Sequence, residues 1–144
     1  MMDQRKKLVL LVDDDEVILR TLSLKLKANN YEVQSAADGS EALISVRKRP
    51  PNLILLDISF PPDVAHGGGV SWDGFRMLEW FHRMDEAKNT PIIIMTGGES
   101  ARYKEHALAA GAAAFFHKPI DNDELLATIH KLLGDDPKEP APPA

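Results

Sequence analysis

Two apolar runs in this 144-residue chain stop at carboxylates. Leu8–Val12 runs into Asp13, Asp14 and Asp15, and Leu53–Leu56 runs into Asp57. A third run, Pro91–Met95, stops at the hydroxyl of Thr96, and a fourth, Ala114–His117, stops at Lys118 and Pro119. Carboxylates gathered at neighbouring strand ends repel one another, so their clustering makes sense chiefly where a cation belongs. Magnesium suits a few carboxylates plus phosphate oxygens, because it favours six oxygens and keeps several waters. The Asp57 carboxylate is nucleophilic enough to attack a phosphoryl donor, and being ionised already it needs no general base. Metal, the Lys118 ammonium and the Thr96 hydroxyl would spread the charge of the in-line transition state. These types at these positions are the equipment of phosphoryl transfer.

Such groups meet only if their strands lie side by side and point the same way. Strand and helix signals alternate five times, the pattern of a parallel sheet with helices on both faces. Ile18, Leu22 and Leu26, with Leu19 beside them, mark an amphipathic first helix, capped by Asp15 and stopped at Asn29-Asn30. Tyr31–Ser35 alternates like a short strand near a sheet edge, and a second helix covers about Ser40 to Lys48 before Pro50-Pro51. A third helix starts at Asp73-Gly74, with Phe75, Leu78 and Phe81 on one stripe. The fourth runs from Ser100 to Ala110 with Gly111 as its left-handed stop. The last starts near Asp121, carries Leu125, Leu126, Ile129, Leu132 and Leu133, and stops at Gly134. In an open parallel sheet, functional groups gather beyond the carboxyl ends of the strands, and Asp13, Asp14, Asp57, Thr96 and Lys118 all occupy such ends.

The length fits one domain with a single substantial core. An apolar fraction of 44% and a charged fraction of 27% are those of a soluble globule. The net charge of -5, with Lys and Arg spread along the chain, argues against a nucleic-acid surface. The absence of cysteine excludes disulfides, thiolate metal sites and cysteine nucleophiles. The apolar stretch after Arg5-Lys6-Lys7 is too short for a signal peptide and meets three aspartates, and nothing reaches membrane-spanning length. The expectation is a cytoplasmic protein without a membrane partner. Residues 135–144 are acidic and proline-rich and read as a disordered, solvated tail, with no output module attached.

Taken in order, Val12-Asp13-Asp14, Leu55-Leu56-Asp57, Met95-Thr96-Gly97 and His117-Lys118-Pro119 resemble the motifs of a receiver domain of a two-component response regulator. The match covers roughly residues 6–134, and the 22 positions from Thr96 to Lys118 are the family's usual interval. The resemblance implies a flavodoxin-like, doubly wound α/β fold whose five parallel strands are ordered 2-1-3-4-5. It implies a signalling protein rather than an enzyme, catalysing only its own phosphorylation and dephosphorylation. Asp57 would take phosphate from a sensor histidine kinase or a histidine phosphotransfer protein, and the signal would pass to a downstream protein target. The resemblance makes Asp13, Asp14, Asp57 and the Ser59 backbone carbonyl the Mg2+ ligands, with Asp14 the more direct of the acidic pair. Lys118 would pair with the phosphoryl group and form a cis peptide with Pro119. Thr96 would close on a phosphoryl oxygen, and Phe115 stands at the aromatic switch position. Either a monomer or a phosphorylation-dependent dimer through the fourth and fifth helices fits the resemblance.

Plainer readings stand beside these. Asp15 serves as a helix cap, Thr96 as a strand end, Phe115 as core, and none of the five histidines has metal-ligand spacing. Residues 61–72 form an insertion of about nine residues relative to the usual short receiver loop, a length that costs little in loop closure. Leaving from the phosphoacceptor and carrying Gly67-Gly68-Gly69, it either decorates the fold or borders the site and tunes partner choice or phosphate lifetime. Gly98, two beyond Thr96, and the small Ser59 leave room for water at the phosphoryl group. Two rival functions share these residues. One is a receiver-like binding module that does not use the chemistry. The other is a haloacid-dehalogenase-like phosphatase with Asp13 as nucleophile and Asp15 as acid.

Overall fold

The computed structural model describes residues 6–57, 74–97 and 100–134. The expectations for Ser59, the 61–72 insertion, Gly98 and the tail lie outside the described residues, as does the Phe75 side chain. Five strands and five helices alternate: β1 (Leu8–Val12), α1 (Glu16–Ala28), β2 (Glu32–Ala36), α2 (Gly39–Lys48), β3 (Leu53–Asp57), α3 (Gly74–Arg83), β4 (Ile92–Thr96), α4 (Ser100–Ala109), β5 (Ala114–His117) and α5 (Asn122–Leu133). All strand pairs are parallel, in the order β2-β1-β3-β4-β5. That is the doubly wound arrangement expected from the alternation, with helix ends within one residue of their predicted places.

The continuously apolar strands are explained by two cores, one on each face of the sheet. Leu10, Val12, Ile54, Leu56, Ile92 and Ile94 point to one side and pack with Ala42 and Val46 of α2, Met77, Leu78 and Phe81 of α3, and Ala107 of α4. Their neighbours Val9, Leu11, Leu53, Leu55, Ile93 and Met95 point to the other side and meet α1 and α5 through Leu22, Leu26, Leu125 and Ile129. Full burial of each large side chain contributes about 1.5–3 kcal/mol. The three central strands are therefore rigid rails that hold their terminal side chains in place.

Local signals fix where the helices begin and end. Asp15 caps α1 by accepting the N–H groups of Val17 and Ile18, Asp38 caps α2 at Glu41, and Asp121 caps α5 at Asp123 and Glu124. At the opposite ends, Gly134 takes the left-handed conformation after α5, and Asn30 does so after α1. Gly111 follows α4 with φ 103°, and a Cβ there would lie 2.7 Å from the His82 ring of α3. Only glycine answers both demands.

Candidate acidic phosphoacceptor site

Strand register brings the polar ends together. Val12 lies opposite Leu56, so Asp13 and Asp57 are the next residues along two adjacent strands. Asp57 is opposite Met95, which puts Thr96 one step further out, and Thr96 is opposite His117, which puts Lys118 just beyond it. The Lys118 N–H donates to the Thr96 carbonyl at 2.8 Å, tying the last two strand ends together. The Lys118–Pro119 peptide is cis, as the resemblance implied.

Asp13, Asp57 and Thr96 are each only 1% exposed, although all three are polar. The Lys118 ammonium sits between the two acids, 3.1 Å from Asp13 Oδ2 and 3.2 Å from Asp57 Oδ2. The other oxygen of Asp13, Oδ1, accepts the Asp15 N–H at 2.9 Å. Asp14 is exposed, and the three aspartates each offer an oxygen within 4.8 Å of the others. Two buried carboxylates thus share one ammonium, with the exposed Asp14 beside them.

The charge balance is unfavourable without a further cation. Burial pushes the Asp13 carboxyl up to about 6 from 3.8, and the Asp57 charge adds to the rise. The Asp15 N–H and Lys118 pull the other way and do not overcome it. Burial also works against the Lys118 ammonium, but Asp57 and Asp13 outweigh it and raise its pKa above the ordinary lysine value. Two buried acids with a third beside them are matched by one ammonium, which leaves a surplus of negative charge. A divalent cation among three convergent carboxylate oxygens would relieve that surplus, so the donor set fits Mg2+.

The same geometry predicts a stability effect. Lys118→Met would leave two buried carboxylates facing each other without their shared counter-ion. Breaking such a pair costs several kcal/mol when it is fully buried, and the 19% exposure of Lys118 reduces this to about 2 kcal/mol at pH 7. Urea denaturation without divalent ions measures it; an unchanged midpoint would show that the lysine does not hold the acids together.

The remaining candidates fall as follows. Phe115 is half-buried and packs against the core on the α2–α4 side. Asp15 spends its Oδ1 on the α1 cap, accepting Val17 and Ile18 N–H at 2.9 and 3.4 Å. The cap is the plainer role that the sequence allowed this residue. His130, given no role from its spacing, is buried on α5 and shares a 2.7 Å hydrogen bond with the Tyr31 hydroxyl, while the Lys7 ammonium donates to the Leu133 carbonyl at 2.6 Å. Both contacts anchor the far end of α5. They join residues 99 and 126 positions apart, which no local pattern signals.

The order of motifs and the geometry both agree with a match to the response regulator receiver domain model over residues 9–130. The chain belongs to the receiver domain family of response regulators. DivK of Brucella anthropi, a polar-differentiation response regulator, is 31% identical over 90% of this chain and 98% of its own length. PleD of Caulobacter vibrioides is 32% identical over 86% of the chain, which spans only a quarter of that longer regulator. The solved structure of the chemotaxis protein CheY4 of Vibrio cholerae superposes with a TM-score of 0.77, covering 89% of this chain and 99% of that one at 30% identity. Receiver domains are signalling proteins phosphorylated by histidine kinases or phosphotransfer proteins, and the family binds Mg2+ at its acidic cluster. Among the described residues, no helix of this receiver is long and apolar enough to cross a membrane.

Proposed function

We propose that this receiver stores a signal as a phosphoryl group on Asp57, taken from the phosphohistidine of a sensor kinase or phosphotransfer protein. The observation that carries the reading is the buried Asp13–Lys118–Asp57 bridge with Asp14 beside it. Residues 6–134 form the working unit, residues 135–144 an acidic, proline-rich tail, and the cytoplasm is where kinase and receiver meet. Asp13, Asp14, Asp57 and the Ser59 carbonyl would hold Mg2+, which when bound supplies positive charge to the phosphoryl oxygens.

The protein's own groups do the rest. An Asp57 oxygen attacks phosphorus in line as the bond to the donor's histidine nitrogen breaks, and the imidazole leaves with that electron pair. Lys118 already lies on the acceptor, so it meets the incoming oxygens with little movement. The Thr96 hydroxyl donates to a phosphoryl oxygen, drawing the end of β4 inward. Phe115 then fills the space vacated beneath it, held by packing because it has no hydroxyl. The α4–β5–α5 surface changes shape, and a downstream protein that contacts it differently in the two states reads the signal.

Incubating the folded protein with acetyl phosphate and following its intact mass tests this reading. Phosphoryl uptake is expected with Mg2+, to vanish with EDTA, and to be released by hydroxylamine as an acyl phosphate. Uptake that ignores the metal, or a folded protein that takes up nothing, would overturn it in favour of a receiver-like binding module.

A further inference from the structure

β2 is an end strand of the sheet, with α1 and α2 packed on either side of it. Its hydrogen bonds decide what the outer edge offers. The Glu32 N–H donates to the Lys7 carbonyl, and the Ala36 carbonyl accepts from the Asp13 N–H. Glu32, Gln34 and Ala36 therefore direct their backbone groups at β1, and alternation turns those of Val33 and Ser35 outward. The edge presents two donors and two acceptors around a central Gln34. An edge of this kind is a template for another strand.

A cleft of about 410 Å³ borders the edge on the α2 side. Along it Glu41, Ile44 and Lys48 form one helical stripe, in the order acid, apolar, base, and Ile44 is 55% exposed. Gln34 points into this cleft, where its Oε1 accepts the Ser45 hydroxyl at 2.6 Å. On the other side, Glu16, Leu19, Arg20 and Ser23 of α1 flank Ser35.

We propose that a second copy of this chain pairs antiparallel with β2 about a two-fold axis at Gln34. Val33 then lies opposite Ser35 of the second copy and Ser35 opposite its Val33, so every outward backbone group is bonded and four N–H···O bonds form. Gln34 meets Gln34 as the non-bonded central pair. The same axis sets Glu41 of each copy against Lys48 of the other, with Ile44 facing Ile44 between them. A surface that matches its own reversal is what an isologous dimer requires. Parallel addition would instead turn one sheet over and set α2 of one copy beside α1 of the other, which loses this match. The resulting ten-stranded sheet carries its two carboxylate sites at opposite ends, clear of the interface, so pairing does not require phosphorylation.

Sedimentation of the full chain from micromolar to near-millimolar concentration tests the proposal. The wild type is expected to move from 15.9 kDa toward twice that mass. Ser35→Pro removes an outward N–H at an edge position that tolerates proline, and should leave a folded monomer. Glu41→Lys and Lys48→Glu each create two like-charge contacts, weakening self-association on the order of ten- to thirtyfold. Mixed one to one, these two variants regain both opposite-charge contacts and associate with each other. Thermal melts confirm that each variant folds, because Glu41 also accepts the Ala37 N–H at 2.9 Å. Three results would each overturn the proposal: a wild type that stays monomeric throughout, a dimer indifferent to Ser35→Pro, or charge variants that fail to associate on mixing. The first would leave the edge for a strand from a different protein, and the second would locate pairing on another face.

Discussion

Asp57→Asn is expected to reduce phosphoryl uptake from acetyl phosphate by more than about a thousandfold, to the level of uncatalysed background. The amide keeps the size of the carboxylate, so the fully buried end of β3 is not disturbed. Its oxygen can still accept from Lys118, which lies 3.2 Å from Asp57 Oδ2 in the wild type. What disappears is the proposed nucleophile, together with one negative charge of the proposed cation site. Asp13 does not replace it, because its two oxygens are engaged by the Asp15 N–H and Lys118. Quantitative phosphoprotein mass spectrometry of the two proteins under identical Mg2+ decides the matter. Substantial labelling of the variant would mean that another group is the acceptor.

Asp13→Asn should pull stability and metal binding in opposite directions. The folded protein holds the Asp13 carboxyl at about 6, above its unfolded value of 3.8, so between those limits the folded state binds more protons than the unfolded one. Stability is then lost as pH rises through that window, and the deficit is complete above it. The gap corresponds to about 3 kcal/mol, since each pKa step is worth 1.36 kcal/mol. Asparagine removes the buried charge while Lys118 loses one of its two partners, leaving a net gain of roughly 1–2 kcal/mol at pH 7.5. The gain should fade toward pH 4, where the wild-type carboxyl is already protonated. The same variant loses a ligand, so the Mg2+-dependent rise in wild-type melting temperature should shrink or vanish. Denaturant titrations at pH 4 and pH 7.5, with and without Mg2+, read both effects. A variant less stable than wild type at pH 7.5 without metal would show that Asp13 is a net stabilising partner of Lys118.

The sheet was legible in the sequence because two periods seldom confused coincide here. Runs such as Ile92–Met95 are apolar at every position, which only a strand covered on both faces explains, while α1 and α5 repeat at helical spacing. The site was legible for a related reason: a buried strand that ends in Asp, Thr or Lys places that side chain on one rim. Which oxygens the Lys118 ammonium bridges was not legible, because this depends on how far the side chain reaches between β1 and β3. Nor was the raised pKa of Asp13, which is set mainly by burial. Tyr31 and His130 gave no signal, since their bond joins the start of β2 to the end of α5. The self-complementary edge of β2 was equally hidden, because the alternation of Tyr31–Ser35 announces an edge strand without saying what covers it.

Peptide mapping of the wild-type protein after exposure to acetyl phosphate and Mg2+ locates the phosphoryl group directly. A single acyl phosphate on the peptide that contains Asp57, absent when EDTA replaces Mg2+, is the predicted result. Modification at Asp13, Asp14 or a histidine with Asp57 unmodified would contradict the assignment of Asp57 as the acceptor.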